Sequence, residues 1–534
     1  MYLLAVMSPF LGSIGAGLFG RYVGTRGACI ISTFFLGVSL FLSVLIAFEV
    51  SLQASPVYID LGSWFRIGSL SVHWGMFFDS LTACMMCTVT LVSFCVHIYS
   101  IGYMQSYPHV PRFMSYLSMF TFFMLVLVSA DNMLQMLVGW EGIGVSSFLL
   151  IGFWFHRTAA TKSALKAMLV NRVSDTLLFI SILCIWWYLG TTEYAVFTAL
   201  GPSPEGLLYT DNVYYLDWIC LTMLVGAMGK SAQMGLHVWL ADAMEGPTPV
   251  SALIHAATLV TAGVYILVRT HALWECSDIC RSVCVWVGAF TSLLAATCGL
   301  FQNDMKRVIA YSTCSQLGYM TVCCGLSHYS LAMFHLMTHA CFKALLFLSA
   351  GVVIHALHDV QDIRKHGGLQ TLLPQTWFTL WLGSLSLVGW PFLSGFYSKD
   401  AILELCWSSK AYVVLALVTL FTAYYSFRVL WSGFVQEFSA PRAELPHAGL
   451  PAVFWVPGAI LAVGSVFFGY LLTDMLVGLG TDFWDFSVNT HPGSEWVSSH
   501  FVPFPVSWLP LLATLCGILL AATYSKPLNI FKVV

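Results

Sequence analysis

Ionisable side chains recur inside the most apolar stretches of this chain. Glu141, for example, lies in QMLVGWEGIGVSSFLLIG, a segment that is otherwise apolar almost throughout. A charged side chain at the centre of a membrane span costs about 2.5–3.5 kcal/mol, so it persists where polar partners or water offset that cost. The residues that share this setting are Glu141, Asp175, Lys230, His255, His335, His339, Lys343, Lys399 and Asp400.

These residue types are suited to proton transfer. Desolvation lowers the pKa of a buried lysine and raises that of a buried carboxylate, and histidine titrates near neutrality. Each group can therefore be charged or neutral at a working pH, and a change at one group alters the balance at its neighbours. A row of such groups predicts a switchable proton relay.

The clearest pattern is a polar stripe on one predicted helix. In HLMTHACFKALLFL, His335, His339 and Lys343 stand at positions i, i+4 and i+8. This spacing places the three side chains within an arc of roughly 80° and a rise of about 12 Å. A stripe of this kind on an apolar helix favours a functional role over simple packing.

Other charged residues have a structural interpretation. Arg172 and Asp175 are three residues apart and could form a fixed ion pair on one helix face. His255, taken alone, could be a packing histidine. Asp242 and Glu245 precede prolines and are expected to be carboxylates at the start of a helix near the membrane surface.

Two predicted spans are interrupted beside a lysine. One places Lys230 among glycines in LVGAMGKSAQMG, and the other places Pro391 and Gly395 before Lys399 in GWPFLSGFYSKD. Broken helices at matching positions in two halves of a membrane chain indicate inverted repeats with a site at mid-membrane. The breaks fall in predicted spans seven and twelve, and this odd separation predicts two inverted five-helix repeats.

The elements that must position these residues are membrane helices. The 534 residues are 58% hydrophobic and 9% charged, whereas about a quarter of residues in soluble proteins are charged. Apolar windows predict an all-α polytopic membrane protein with about fifteen transmembrane helices. The predicted centres lie near residues 10, 40, 90, 122, 143, 177, 225, 260, 292, 315, 343, 385, 420, 462 and 516, with polar loops at 51–77, 190–216, 435–450 and 474–505.

These spans divide the chain into four predicted regions. They are 1–112 with the first three helices, 113–272 with the first repeat, 273–434 with the second repeat, and 435–534 with the C-terminal helices. Lysine and arginine are concentrated in the loops after odd-numbered spans. By the positive-inside rule, this places the N-terminus on the outer face.

Charge and motif content exclude several function classes. A net charge of -3 gives no basic surface for nucleic acid. No nucleotide-binding glycine loop, four-cysteine cluster spacing or pattern of haem histidines is apparent, so we expect neither a nucleotide nor a redox centre in this chain. The sixteen cysteines, including the Cys84–Cys87 pair, are predicted to be packing thiols rather than metal ligands.

Several long motifs resemble one family of membrane subunits. The segments 229–263, 311–320 (YSTCSQLGYM), 335–351 (HLMTHACFKALLFLSAG) and 391–400 (PFLSGFYSKD) closely resemble the antiporter-like subunits of respiratory complex I, NADH:ubiquinone oxidoreductase. Within these, the chain is most similar to chain 5, the distal subunit, because Lys399 stands where the neighbouring subunit usually has glutamate. The resemblance implies two inverted five-helix repeats joined by a polar axis, and it assigns the ionisable residues above to a proton path.

The resemblance also implies partners and a location. The chain would be a proton-translocating subunit of NADH:ubiquinone reductase with no cofactor of its own. NADH, FMN, iron–sulfur clusters and ubiquinone would belong to partner subunits. Its partners would be the other complex I membrane subunits, especially the adjacent antiporter-like subunit, and lipids such as cardiolipin, in the mitochondrial inner membrane rather than a bacterial plasma membrane. The family normally continues into a long lateral helix, which we expect to be lost here or carried on another polypeptide.

Three other functions remain open from the sequence alone. The large subunit of multisubunit sodium/proton antiporters shares much of this pattern and would show sodium-dependent proton flux without NADH. A quinone-binding redox chain would hold a quinone against the polar axis. A purely structural spacer would leave pumping unaffected when Lys230 is neutralised.

Overall fold

The fold is a bundle of helices with one β-hairpin, seen in a computed structural model that describes residues 1–68, 70–200, 213–436, 451–478, 481–485, 487–488 and 502–524. The N-terminal part contains α1 (Tyr2–Gly17), α2 (Gly20–Ala47), β1 (Val57–Ile67), β2 (Leu70–Phe78), α3 (Ser80–Tyr103), α4 (Val110–Ser129), α5 (Met133–Ile151) and α6 (Thr158–Leu189). The middle part contains α7 (Tyr194–Leu200), α8 (Val213–Lys230), α9 (Val238–Asp242), α10 (Thr248–Ala256), α11 (Leu259–Arg269), α12 (His271–Trp274), α13 (Asp278–Phe301), α14 (Met305–Gly325) and α15 (Tyr329–Ala356). The C-terminal part contains α16 (Leu369–Leu372), α17 (Pro374–Val388), α18 (Ala401–Leu405), α19 (Ala411–Leu430), α20 (Ala452–Leu476) and α21 (Phe504–Tyr524).

The predicted multi-pass helical fold is confirmed. Each predicted centre lies within a helix, and in the described part of the chain 11 helices are long and apolar enough to cross a membrane. The centres near residues 10, 225, 315 and 385 fall in α1, α8, α14 and α17. Each of these helices is either too short or not apolar enough to count as a full span. The count of fifteen spans and the repeat boundaries therefore stay predictions.

The segment predicted as a polar loop at 51–77 contains a β-hairpin that the sequence analysis missed. Strands β1 and β2 pair antiparallel, with Val57 opposite Phe78 and Ile67 opposite Leu70. Aromatic and β-branched residues recur along both strands, and Gly68 lies at the turn with φ of 59°, a conformation that glycine adopts at little cost. Similarly, the predicted loop at 190–216 contains the short helix α7.

The first predicted helix break is present immediately after Lys230. Helix α8 ends at this lysine, and α9 begins at Val238. Gly235 lies between them with φ of 94°, which only glycine adopts readily. Lys230 is thus the last helical residue before the chain unwinds.

The second break separates α17 from α18. Gly389 ends α17 with φ of 92°, and a π-helical turn, Phe396–Asp400, leads into α18. Gly395 is required here because a Cβ at this position would lie 1.7 Å from the carbonyl oxygen of Ser386. Lys399 therefore lies after its break, whereas Lys230 lies before its own.

A third break, which the sequence analysis missed, interrupts the span of His255. Helix α10 ends at Ala256 and α11 begins at Leu259, with Thr258 at φ −126° and ψ −93° between them. His255 therefore lies in the last turn of α10, where backbone carbonyls have no donor within the helix. The segment IHAATLV contains neither glycine nor proline, so it carries no signal for the interruption.

Helix α15, which carries the predicted stripe, lies at the centre of the bundle. It packs against α3, α10, α14, α17 and α20. All its residues from Tyr329 to Ile354 are buried. The stripe consequently has protein, rather than lipid, on every side.

Charged residues at one end of the bundle tie the loops together. The ion pairs there are Arg157–Asp359 at 4.0 Å, Lys166–Asp242 at 2.5 Å and Arg307–Glu245 at 3.7 Å. They connect the start of α6 with the segment after α15, α6 with the end of α9, and α14 with the segment after α9. This is the end at which the loop charges predict the inner face of the membrane, and we call it the inner end.

Candidate functional site

Glu141 pairs with Arg172, but this ion pair is partly exposed at the surface of the bundle and does not lie in its interior. Arg172 Nη1 on α6 lies 2.5 Å from Glu141 Oε1 on α5, and the two side chains are 62% and 38% exposed. The predicted pair between Arg172 and Asp175 is wrong. Residues three apart share one side of a helix, yet these two side chains turn to partners on two other helices.

Asp175 instead joins Trp140 and Lys230 in a buried group. Trp140 donates its Nε1 proton to Asp175 Oδ1 at 2.7 Å, and Lys230 Nζ lies 3.6 Å from Asp175 Oδ2. Lys230 is 0% exposed, and its ammonium nitrogen has no hydrogen-bond partner among the described residues. Gly144 leaves room for this nitrogen, since a Cβ there would lie 2.9 Å from it.

His255 on α10 and His339 on α15 each lie against the other's helix. The ring nitrogens of both form no hydrogen bond among the residues described. The His255 ring stacks on Phe347 of α15 at 5.5 Å between centroids, and neither of its nitrogens has a hydrogen-bond partner in the described chain. His339 lies beside the carbonyl of Ala256, at the third break, without a well-aligned hydrogen bond. Buried polar atoms are rarely left unmatched, and water commonly completes them.

His335 is held between α14 and the second break. Its Nδ1 lies 2.9 Å from Ser398 Oγ, and its Nε2 lies 3.1 Å from Gln316 Oε1. Thr338 also contacts the Ser398 hydroxyl, at 3.0 Å. His335 thus contacts Ser398, the residue that immediately precedes Lys399 in the π-helical turn.

Lys343 and Lys399, the buried lysines beside the histidines, are bound by neutral oxygens. Lys343 Nζ donates to Ser312 Oγ at 2.5 Å, and Lys399 Nζ donates to Val388 O at 3.2 Å and Thr422 Oγ1 at 3.1 Å. Neither forms an ion pair within the part of the chain that the structure describes. Neutral acceptors stabilise an ammonium less than a carboxylate does, so these sites can accommodate either protonation state.

Asp400 lies beside Lys399, and both side chains approach Gly389. The two form no ion pair in the part of the chain that the structure describes, although their charges interact, and Glu404 one turn later also acts on Asp400. Glu404 lies in α18 and was missed by the sequence analysis. The pair Asp400 and Glu404 extends the polar row from Lys399 toward the end opposite the inner end.

The candidate residues fall into two clusters. The first, which we call the α5–α6–α8 cluster, contains Glu141, Arg172, Asp175 and Lys230, whose charges act on one another. The second, the α15 cluster, contains His255, His335, His339, Lys343 and Lys399, which interact in the same way. Gln233, in the first break, and Ser251, one turn before His255, carry further buried polar atoms that have no hydrogen-bond partner among the residues described.

Neutral residues complete both clusters, and sequence reasoning did not identify them. They are Trp140, Ser312, Gln316, Ser398 and Thr422. Single neutral polar residues are common in membrane helices, so no pattern singles these out. Only Gly144 had a visible signal, as one of the glycines that flank Glu141.

A buried ion pair outside the row provides a contrast. Arg269 Nη1 lies 2.5 Å from Asp79 Oδ2, and Nη2 donates to Asp79 Oδ1 at 3.1 Å and Thr82 Oγ1 at 2.6 Å. The remaining Nε donates to the Tyr265 hydroxyl at 3.1 Å. Asp79 also caps α3 through the Thr82 amide. This bidentate, fully bonded pair is a fixed anchor.

The cysteines show no metal-site arrangement. All sixteen are free thiols. Within the described ranges, no group of three or more His, Cys, Asp or Glu side chains is placed to hold a metal ion.

Together, the multi-pass bundle, the helices broken beside buried lysines and the row of buried histidines define an antiporter-like membrane subunit. The family model described as NADH:quinone oxidoreductase/Mrp antiporter, TM, matches residues 130–424. A second model, described as NADH-Ubiquinone oxidoreductase (complex I), chain 5 N-terminus, matches residues 64–114.

Curated relatives identify the branch of this class. NADH-ubiquinone oxidoreductase chain 5 of Marchantia polymorpha is 48% identical over 99% of this chain and 81% of the relative. The Arabidopsis thaliana chain 5 is 49% identical over 98% of this chain and 80% of the relative. The chain belongs to the NADH-ubiquinone oxidoreductase chain 5 family, and it is a proton-translocating membrane subunit.

Solved structures share the fold. The Mrp complex from Dietzia sp. DQ12-45-1b contains a chain with TM-score 0.80 and 26% identity, and the match covers 99% of this chain but 56% of that one. The present chain thus spans just over half of the Mrp chain. An archaeal membrane-bound sulfane sulfur reductase has a chain with TM-score 0.77 and 17% identity, covering 98% of this chain and 99% of its own. That second likeness concerns the fold alone.

Proposed function

We propose that this chain carries protons across the membrane through its two clusters, as a subunit of NADH-ubiquinone oxidoreductase. Protons enter from the negative side near Glu141, Asp175 and Lys230. They cross through His255, His335 and His339 toward Lys343. They leave by way of Lys399 and Asp400.

The bonding of the buried lysines carries this proposal. Lys230, Lys343 and Lys399 are 0%, 0% and 1% exposed, and their nearest carboxylate contact is the 3.6 Å one between Lys230 and Asp175. Arg269 is the counterexample, because it is also buried but is fixed by two bonds to one carboxylate. A buried ammonium without such a partner is costly, and it can become neutral by releasing its proton.

Like charges within the α15 cluster make its protonation states interdependent. Lys343 acts on His255, His335 and His339, and Lys399 acts on Lys343. A proton that arrives at one of these groups therefore disfavours protonation of the others. Sequential uptake and release along the row follows from this repulsion.

The driving force must reach the clusters from outside this chain. Moving one charge against 100 mV costs about 2.3 kcal/mol. The partly exposed Glu141–Arg172 pair offers a route, because a neighbouring charge that draws either residue away would alter the field at Asp175 and Lys230. We infer that the adjacent antiporter-like subunit of complex I covers this surface.

The remaining assignments follow from membership of the complex. We infer that NADH, FMN, iron–sulfur clusters and ubiquinone are bound by partner subunits, so that this chain performs no redox step. Eukaryotic relatives support a place in the mitochondrial inner membrane. Lipids, including cardiolipin, are expected on the exposed apolar faces of α2, α20 and α21.

The test is to remove the charge at Lys399 in the assembled complex. Lys399→Met should leave the complex assembled but abolish proton translocation through this chain, lowering the number of protons pumped per electron. Lys365→Met, at an exposed position, is the matched control and should pump normally. An unchanged proton-to-electron ratio in Lys399→Met would refute the proposed role.

A second candidate function is sodium/proton exchange, which the likeness to the Mrp chain favours. Vesicles that contain the complex should then show sodium-dependent proton flux in the absence of NADH. The proposed function predicts that this flux is absent.

A further inference from the structure

Lys306 is a buried lysine that neither cluster includes. It lies in the first turn of α14 at the inner end and is 3% exposed. Its hydrogen bond within the described residues is a long one, from Nζ to the carbonyl of Gly246 at 3.4 Å. A lysine at the membrane boundary normally extends its ammonium to water, so this enclosure requires an explanation.

The carboxylates near Lys306 are bound to other cations. The charges that act on it belong to Asp359, Glu245 and Arg157. Glu245 pairs with Arg307 at 3.7 Å, and Asp359 pairs with Arg157 at 4.0 Å. Lys306 itself forms no ion pair within the described part of the chain. It therefore shares with Lys343 and Lys399 the property of a buried ammonium held by neutral oxygen.

Helix α14 leads from Lys306 to the α15 cluster. Lys343 Nζ donates to Ser312 Oγ at 2.5 Å and approaches the carbonyl of Ile309 at 3.5 Å. Ile309 and Ser312 follow Lys306 by three and six residues, which corresponds to about 4.5 and 9 Å along the helix axis. Lys306 is thus one turn before the stretch of α14 that Lys343 contacts, on the side of the inner end.

We infer that Lys306 is a relay residue that supplies protons from the inner aqueous phase to Lys343. The protonated Lys306 amine gives its proton to neutral Lys343, and then takes another from the inner phase, where Glu245 and Asp359 attract cations. This inference rests on the proposed function. It adds an inner-end entry that leads directly to the α15 cluster without passing through Lys230.

The discriminating variant is Lys306→Arg in the assembled complex. Arginine keeps the positive charge beside Gly246 but does not release its proton in proteins. We expect Lys306→Arg and Lys306→Gln both to lower proton-coupled NADH oxidation by about tenfold or more. Lys365→Gln, which removes one exposed charge at the same end of the chain, should have no effect. Wild-type turnover in Lys306→Arg would overturn the inference, because it would make Lys306 a structural cation.

A second variant covers the case in which Lys306 substitutions prevent assembly. Asp359→Asn changes a side chain that is 45% exposed and removes one of the charges that favour protonated Lys306. The pH at which turnover is half-maximal should then shift downward. An Asp278→Asn control, at an 88% exposed position near the opposite end, should leave the profile in place. An unchanged profile in Asp359→Asn would overturn the inference.

Failure of the inference and failure of the proposed function are separable in one preparation. If Lys399→Met pumps normally, the proposed function fails. If Lys399→Met loses pumping while Lys306→Arg matches the wild type, the row carries protons but Lys306 does not supply them.

Discussion

Replacing Trp140 with phenylalanine isolates one hydrogen bond of the α5–α6–α8 cluster. The indole Nε1 donates to Asp175 Oδ1 at 2.7 Å, and the same ring lies 5.7 Å from Lys230 Nζ. Phenylalanine retains an aromatic face for the ammonium but removes the donor. The ionised carboxylate of Asp175 then loses a stabilising contact while its position changes little.

The size of this effect follows from the type of bond. Hydrogen bonds to charged groups contribute about 1.5–3 kcal/mol, whereas those between neutral groups contribute about 0.5–1.5 kcal/mol. Removing the Trp140 donor should therefore weaken the stabilisation of the Asp175 carboxylate by about 1.5–3 kcal/mol. With the carboxylate less firmly held, its contact with Lys230 is weakened, so proton transfer through the cluster should slow.

The matched control is Trp274→Phe. Trp274 is also enclosed, and its Nε1 donates at 3.1 Å to a neutral hydroxyl, that of Thr270. In liposomes with the purified complex, the initial rate of NADH-driven proton uptake should fall at least severalfold further in Trp140→Phe than in Trp274→Phe. Equal rates in the two variants would refute the argument that Trp140 tunes a proton-carrying carboxylate.

Two further predictions concern the positioning of the site. Asp79→Asn leaves Arg269 buried without its counter-ion and should destabilise the chain by about 3–5 kcal/mol, which thermal unfolding and recovery of the assembled complex would measure; wild-type stability would contradict the anchor role. Gly395→Ala places a Cβ 1.7 Å from the Ser386 carbonyl oxygen and should prevent assembly, whereas Gly433→Ala, with no heavy atom within 4 Å of its Cβ, should assemble normally. Normal assembly of both variants would show that the backbone at residue 395 can move away from the Ser386 carbonyl without loss of the fold, which would contradict the requirement for glycine there.

The sequence predicts those parts of the fold that local chemistry determines. The breaks beside Lys230 and Lys399 were predicted because glycine and proline mark them, and Gly235 and Gly389 do adopt positive φ. The stripe on α15 was predicted because i, i+4 spacing determines which side chains share a face. The β-hairpin was overlooked because its residues were interpreted only for their polarity and not for their β-propensity.

Long-range partners could not be predicted in the same way. Arg172 and Asp175 were paired because of their spacing, yet their partners lie on α5 and α8. Arg269 and Asp79 are 190 residues apart, and no single-sequence pattern joins them. The third break, at Thr258, has no glycine or proline and depends on tertiary contacts. In the sequence, Lys306 resembles an ordinary lysine at the membrane boundary, and only its burial in the structure distinguishes it.

Proton transfer through this chain requires that water joins the buried side chains into one path across the membrane. This requirement is tested most directly by an experimental map of the assembled complex in which bound water is visible. We expect ordered water within hydrogen-bond distance of Lys230 Nζ and of the ring nitrogens of His255 and His339, continuous from Lys230 to Lys399. Dry packing around these atoms, with each side chain locked against a protein partner, would contradict it.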